Sequence, residues 1–332
     1  MRAFSINTND GGQRLDKFVT KTIRGLPTSL LYKYIRTRRI KVNGRRAQPQ
    51  QMLAAGDLVE MYIPEEFFGT EKSGEELLRV RVHLSVVYED AAVLIADKAP
   101  GMLAHAGDPD EPGSADVPER ETLVFQIQAY LCQRGEYDPS SEHSFAPALC
   151  NRIDRNTGGL VIAAKTAEAL RAMNEAIRAG QVHKSYLCAV HGRMPKTADT
   201  LTAYLSKNPR TKTVTVSDAR VPGAKEIVTG YRVAAYSAAH DLSLLSVDLM
   251  TGRTHQIRAH LAHIGHPLLG DGKYGENRAD RALGWAHQAL YASELRFSIP
   301  GGPLAYLSQH AFTVPREHVR FLSLFEKTEK EK

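Results

Sequence analysis

Residues 149–166 read LCNRIDRNTGGLVIAAKT, a charged turn running into a wholly apolar segment. Asp154 stands between Arg152 and Arg155, and two glycines separate this turn from Leu160–Ala164. A continuous apolar run of that length fits a strand covered on both faces. Thr166 then supplies a capping hydroxyl for a helix expected to run through Ala179, with Leu170, Met173 and Ile177 inward and Gly180 as its stop. An aspartate at a strand start is ordinarily a structural ion pair. Two flanking guanidinium groups would instead keep Asp154 ionised at neutral pH. Such a carboxylate suits nucleophilic attack, or stabilisation of an oxocarbenium-like centre, better than general-acid work.

Working outward, Val93–Ala96 is a second buried-strand candidate. Residues 184–190, 204–205, 213–216, 226–233 and 242–249 read as further strands. Many strands, few helices and short connections predict an α+β fold with a large mixed or antiparallel central sheet. Residues 65–85 are polar and glutamate-rich and read as a linker. Residues 107–120, GDPDEPGSADVPER, read as a flexible acidic insertion, and 326–332 as a charged tail.

Three more stretches carry chemistry-bearing residues. In TGRTHQIRAHLAHIGHPLLGDGKYG (251–275), a helix over Thr254–Ile264 would place Ile257, Leu261 and Ile264 on one inward face. Arg258 then lies at the edge of that stripe, where a half-buried guanidinium needs a carboxylate. His255, His260, His263 and His266 invite a metal reading. No carboxylate lies within the helix and HExxH is absent, so surface or packing roles are expected and no metal site is assigned. Gly270, Gly272 and Gly275 match GxGxxG literally. The required strand before and long helix after are missing, so a glycine-rich turn is the reading. Tyr186, in KSYLCAV (184–190), is either a core tyrosine or an aromatic face for a nucleobase. DKAPGMLAHAG (97–107) taken alone shows little beyond loop geometry. Walker, nucleophile-elbow and Cys/His nucleophile signatures are absent, which removes support for phosphoryl or acyl transfer.

The composition adds a partner. The 332 residues carry a net charge of +6. Residues 1–64 hold 12 Lys and Arg against 4 Asp and Glu, whereas 65–332 hold 31 against 33. The basic excess is therefore confined to the first fifth of the chain. There, two short amphipathic helices (14–24, and a second capped by Thr28 or Ser29) precede a hairpin turned by Asn43-Gly44. Leu58, Met61 and Ile63 are expected to close this unit inward. Lys33, Arg36, Arg38, Arg39, Lys41, Arg45 and Arg46 crowd fourteen residues without an acidic neighbour, a pattern for nucleic acid. No apolar run approaches a bilayer span. The opening MRAFSINTND lacks a signal-peptide core. Cys132, Cys150 and Cys188 form no close pair. A cytoplasmic protein without membrane association is expected.

With its LDKF…RRIKVNG…GD pattern, the segment 13–63 resembles the ribosomal-protein-S-four-like RNA-binding domain. Residues 86–325 resemble the RluA/RluC-type RNA pseudouridine synthases: NRIDRNTGG matches HRLDRxTSG, and 253–275 is nearly intact against RTHQIRxHLxxxGHPLLGDxxYG. Lys184 and Tyr186 match KxY. Lys98, Gly101 and His105 match KPxG…H loosely, with proline displaced to Pro100. Asn151 and Gly158 depart from the family's usual His and Ser. The resemblance implies the pseudouridine synthase fold over 86–325, preceded by an RNA-binding domain over 1–64. It makes Asp154 the catalytic aspartate, Arg258 its partner, Tyr186 the residue packed on the target base, and Leu268 and Leu269 part of the pocket wall. It implies isomerisation of uridine in RNA, most often large-subunit (23S-type) ribosomal RNA, without a cofactor, nucleotide or metal. Arg152, Arg155 and Arg253 would add local RNA contacts, and a monomer is expected. Two other readings are weighed against this: a non-catalytic RNA-binding ribosome-assembly factor that keeps the fold, and a nicotinamide-dependent oxidoreductase built on the Gly270 loop.

Overall fold

A computed structural model describes residues 1–23, 25–68, 74–108, 111, 113–208 and 213–326. The first elements are β1 (Arg2–Ser5), α1 (Leu15–Thr22), α2 (Thr28–Arg36), β2 (Ile40–Val42), β3 (Arg45–Arg46) and β4 (Leu58–Met61). Their strands pair antiparallel in the order β1-β4-β2-β3. Asn43 and Gly44 both take positive φ (52° and 71°), as a two-residue hairpin turn of this hand requires. The helices bury Leu15, Phe18, Val19, Leu31 and Ile35 against the sheet. Two details differ from the sequence reading. Pro27, not Thr28 or Ser29, occupies the N-cap of α2 and gives no side-chain bond. In β4 the strand alternation turns Val59 and Met61 inward and leaves Leu58 exposed, because β4 lies between β1 and β2.

The remaining strands are β5 (Ser85–Glu89), β6 (Val93–Lys98), β7 (Ala148–Leu149), β8 (Gly158–Ala164), β9 (Val182–His191), β10 (Ala198–Asn208), β11 (Thr213–Ser217), β12 (Lys225–Ser237), β13 (Leu242–Leu249), β14 (Leu290–Phe297) and β15 (Ala311–Thr313). Among the described residues they form one mixed sheet, β11-β10-β12-β13-β9-β14-β8-β6-β5, with β15 on β14 and β7 on β8. The β14–β8 pair is parallel and the other pairings are antiparallel. The helices are α3 (Glu75–Arg79), α4 (Leu123–Gln133), α5 (Ala167–Arg178), α6 (Gln256–His263) and α7 (Arg278–Ala282). Thr166 caps α5 as expected, its hydroxyl accepting the Ala169 N–H.

The insertion of β14 between β9 and β8 explains one departure from the family motif. A Cβ at Gly158 would overlap the Tyr291 ring, and one at Gly159 (φ 116°) would overlap the Ala292 backbone. Tyr291 is fixed, because its hydroxyl donates to the buried Asp97 carboxylate at 2.8 Å. The other departure is also accommodated: the Asn151 side-chain oxygen accepts the Ile162 N–H at 2.8 Å.

Two stretches read as loose carry structure. Within 65–85, α3 buries Leu77, and the Gln133 amide of α4 binds the Leu77 and Val80 carbonyls. In 107–120, Asp108 is buried and paired with Arg152. The expected Thr254–Ile264 helix begins only at Gln256, because His255 takes φ 54°, outside helical geometry. Ile257 and Leu261 still reach the core, and Ile264 is half-buried.

The basic N-terminal part docks on the large sheet's flank. Asp10 is fully buried, and its carboxylate accepts the His143 N–H (3.1 Å), the Ser144 N–H (2.7 Å) and the Ser144 hydroxyl (2.6 Å). The Asn9 side chain accepts the Ala167 N–H at the start of α5 (3.0 Å) and donates to Glu142. Among the described residues, no helix is long and apolar enough to cross a membrane. The tail 327–332 lies outside the described residues.

Candidate active site

The turn between β7 and β8 carries Asp154, and the turn closes with the Thr157 N–H on the Asp154 carbonyl at 3.1 Å. Lys98, at the end of β6, holds this turn from beneath. Its fully buried ammonium donates to the carbonyls of Ala99 (3.0 Å), Met102 (2.8 Å) and Arg155 (2.9 Å). Burial pulls its pKa down to about 7, against the pull of Asp154 and other nearby carboxylates. Three N–H bonds meeting three carbonyls fit the ammonium form.

Asp154 is paired from across the domain. Arg258, on the first turn of α6, donates through Nη1 to Asp154 Oδ2 at 2.9 Å. Its other edge is held by Asp271, with Nε to Oδ2 at 2.7 Å and Nη2 to Oδ1 at 2.9 Å. Asp271 is fully buried and also accepts the N–H groups of Lys273 and Tyr274. Burial alone would lower the Arg258 pKa, but the two carboxylates raise it. Burial likewise works against ionised Asp271, and Arg258 more than offsets it, leaving the pKa below the usual value. The result is a fixed chain, Asp271–Arg258–Asp154. Asp271 comes from the GxGxxG look-alike: Gly270 (φ 77°) lies where a Cβ would strike the His287 carbonyl, so the glycine turn serves this aspartate.

The neighbouring arginines do not pair with Asp154 as the sequence suggested. Arg152 turns to Asp108, with Nη1 to Oδ1 at 2.8 Å and Nη2 to Oδ2 at 2.6 Å. Arg155 donates through Nε to the Gly101 carbonyl at 3.1 Å, and its backbone N–H goes to Glu111. Adjacent residues in a turn point apart, which leaves the partner role to Arg258.

A cleft of about 280 Å³ opens beside this chain, lined by Asp154, Arg152, Ile153, Lys184, Tyr186, Leu249, Arg253, His255, Arg258 and Leu290 among others. Tyr186 is buried, and its hydroxyl has no protein partner among the described residues. Burial and the Asp154 charge raise its pKa, so the phenol keeps its proton at neutral pH. Lys184 also lines the cleft, and burial lowers its pKa. Arg253 is exposed at the rim and borders a smaller neighbouring cavity. Three expected residues lie elsewhere. Arg155 is not a lining residue, Leu268 packs in the main core beside Val190, and Leu269 belongs to a separate cluster with Ala189 and Tyr291. Leu249, Ile257 and Leu290 supply the apolar wall instead.

Sequence reasoning missed Asp271, Glu111 and the role of His255 at the site. For Asp271 the signal was present, an acid in a glycine turn downstream of an arginine in need of one. For Glu111 there was none, since it comes from an acidic loop. Its carboxyl is pushed upward by burial and by Asp154. Glu111, Asp154 and His255 bring three donor atoms within 4.8 Å of one another, the place among the described residues where a cation would find ligands. The Arg258 guanidinium already engages the Asp154 oxygen there. The other histidines part company: His260 meets the Thr229 hydroxyl, His263 meets Asp218 and His266 meets the His191 carbonyl.

The seven N-terminal cations share the surface formed by α2, the turn after it and the β2–β3 hairpin. Six are exposed and Lys41 is half-buried, and none pairs with a carboxylate among the described residues. Arg39 lies over the buried Tyr34 ring (5.5 Å) and Lys41 over the exposed Tyr62 ring (5.0 Å).

Residues 92–263 match the RNA pseudouridylate synthase family and residues 13–59 match the S4 domain. An uncharacterised RNA pseudouridine synthase of Mycoplasma genitalium is 30% identical over 302 residues, 89% of this chain and 88% of its own length. Ribosomal large subunit pseudouridine synthase C of Escherichia coli K12 is 30% identical over 313 residues, 91% of this chain and 90% of its own. Among solved structures, human RNA pseudouridylate synthase domain containing 4 aligns with a TM-score of 0.53 at 20% identity, over 72% of this chain and 92% of that one, a likeness of fold. With a family match over more than half its length and relatives at 30% identity along most of it, the chain belongs to the RNA pseudouridylate synthase family and carries an S4 domain at its N-terminus.

Proposed function

We propose that this enzyme converts specific uridines of large-subunit ribosomal RNA to pseudouridine, with Asp154 as the catalytic carboxylate and no cofactor. The observation that carries this reading is the Asp271–Arg258–Asp154 chain, which holds one carboxylate oxygen and leaves the group at the edge of a cleft. The reaction breaks the C1′–N1 bond, turns the uracil and joins C5 to C1′; the C5 proton leaves and the freed N1 takes up a proton, so the composition is unchanged. Asp154 acts at C1′ directly or through the 2′-hydroxyl; both routes need an ionised, oriented carboxylate. Arg258 keeps it so. Tyr186 stacks on the base; as a protonated phenol it would first have to lose its own proton to accept the one from C5. The uridine leaves its stack to enter the cleft, at a cost of a few kcal/mol. Phosphate contacts on the seven-cation face help offset that cost. The ribosomal target rests on the names of the relatives, synthase C of the large subunit.

The test pairs Asp154→Asn with the native chain in a strain lacking the gene, mapping pseudouridine across ribosomal RNA. The native chain should restore one or more positions and the variant none; modification by Asp154→Asn would refute the assignment. Tritium release from C5-labelled uridine in RNA separates this reading from a non-catalytic assembly factor, which would bind RNA and release none.

A further inference from the structure

Beside Asp154 lies a hydrogen-bond relay that the proposed chemistry above does not use. His255 is almost fully buried and stands one helical turn before Arg258, in the left-handed region (φ 54°). Few side chains sit there readily, and the strain persists only where surroundings over-determine it. Those surroundings are Tyr274 on one side and Asp154 on the other. The His255 Nδ1 is 2.7 Å from the Tyr274 hydroxyl, and its Nε2 is 3.8 Å from Asp154 Oδ2. The Tyr274 oxygen accepts the Val214 backbone N–H of β11 at 3.1 Å.

These contacts favour one placement of the protons. Burial pushes the Tyr274 phenol up to about 12, so it keeps its proton at neutral pH. Burial pushes His255 down to about 4, so the ring is neutral there. The Tyr274 oxygen is already an acceptor for Val214, and its own O–H has Nδ1 as its nearest acceptor. With that O–H directed at Nδ1, Nδ1 is the acceptor and the single ring proton of His255 is assigned to Nε2. That N–H faces Asp154 across a gap too long for a direct hydrogen bond. A substrate oxygen placed against Asp154 falls within its reach.

Resting on the reading above, we propose that His255 is a substrate-contacting donor whose Nε2–H binds a ribose hydroxyl or uracil carbonyl oxygen held at Asp154, and that Tyr274 is the positioning residue that fixes this tautomer. Asp154 Oδ2 is then the anchored oxygen, facing both Arg258 and His255, and Oδ1 is the one presented to C1′ or the 2′-hydroxyl. The relay also ties the site to the β10–β11 hairpin through Val214, which makes the hairpin's seating a condition for a correctly protonated His255.

The test uses the full chain. His255→Asn tolerates positive φ but is too short to place a donor at the Nε2 position, whereas His255→Gln carries an amide N–H near it. Loss of one well-aimed donor costs on the order of 10²-fold in kcat. His255→Asn should lose about that much in single-turnover tritium release, and His255→Gln should retain activity to within about tenfold. Tyr274→Phe should lower kcat while leaving KM within about twofold. Nitrogen-15 NMR of histidine-labelled protein, with His255 assigned by its absence in His255→Gln, should show a protonated Nε2 and unprotonated Nδ1 at pH 7. In Tyr274→Phe it should show a mixture of tautomers. A proton on Nδ1 in the native protein, or native kcat in a folded His255→Asn, overturns the proposal. If native protein releases no tritium from any ribosomal RNA, the enzymatic reading fails instead, and the tautomer measurement still decides the relay.

Discussion

Replacing Asp271 with asparagine tests whether the buried Arg258 works as a fixed bracket. Asp271 gives Arg258 two charge-assisted bonds, 2.7 and 2.9 Å long, in a site where its own side chain has no solvent exposure. Asparagine keeps the shape and one acceptor but turns an amide N–H toward the other guanidinium donor. Breaking a buried pair outright costs about 3–5 kcal/mol, and a charge-assisted bond is worth about 1.5–3. With one acceptor kept and Asp154 still present, Asp271→Asn should destabilise the catalytic part by about 2–4 kcal/mol. Arg258 would then swing toward Asp154 and displace it; a misplacement near 1 Å costs about 10²-fold in rate. Urea unfolding read from tyrosine and tryptophan fluorescence gives the first figure, and single-turnover tritium release gives the second. An Asp271→Asn protein with native midpoint and native rate would show that the bracket does not matter to either. Loss of stability with a native rate in the folded fraction would refute the link from Asp271 through Arg258 to Asp154.

Gly158→Ser restores the residue more usual in the family yet should cost about 1–3 kcal/mol here, because its side chain meets the Tyr291 ring; Tyr291→Val should recover part of the loss in a thermal melt. Reversing Arg38, Lys41 and Arg46 to glutamate should weaken RNA binding and flatten the dependence of log affinity on log salt by about 0.7–0.9 per lost phosphate contact, measured by fluorescence anisotropy. Glu142 is pushed up to about 7 by burial, so the docked state binds its proton more tightly than the free chain does. Its contribution to docking is full below about pH 4.5 and is lost as pH rises through about 7. Hydrogen exchange at the His143 and Ser144 amides should therefore quicken from pH 5 to 8 beyond the intrinsic rate, and Glu142→Gln should abolish that excess.

What could be read from the sequence followed from local rules. The Leu160–Ala164 run, the Thr166 cap and the Asn43-Gly44 turn each declare themselves within a few residues, and each forms as expected. The residues around Arg258 said only that a half-buried guanidinium needs a carboxylate, and the family resemblance named Asp154 as that partner, a contact the structure contains. The identity of the remaining partners depended on long-range placement. Flanking in sequence suggested Arg152 and Arg155 for Asp154, whereas turn geometry sends them to Asp108 and Gly101. Leu268 and Leu269 read as pocket wall, but the bridge to Val190 draws that segment into the core. Glu111 sits in a loop whose composition signals only solvation, and nothing local distinguishes it from its acidic neighbours.

Hydrogen bonds through Asn7, Asn9 and Asp10 seat the N-terminal part, so on the proposed reading the cationic face and the cleft would meet RNA at a set spacing. A tether would let the basic face search freely and raise the local concentration of any RNA by a similar factor. If the proposed RNA contacts hold, a docked face would keep its cations at a set distance and angle from Asp154, and the avidity would go to RNA whose backbone spans that separation. Discrimination between uridines then needs few base contacts: a strand that reaches the cationic face but presents its uridine a few ångströms short gains binding without reaction. Loosening Asp10 should broaden the range of uridines modified before it lowers the rate at any one of them.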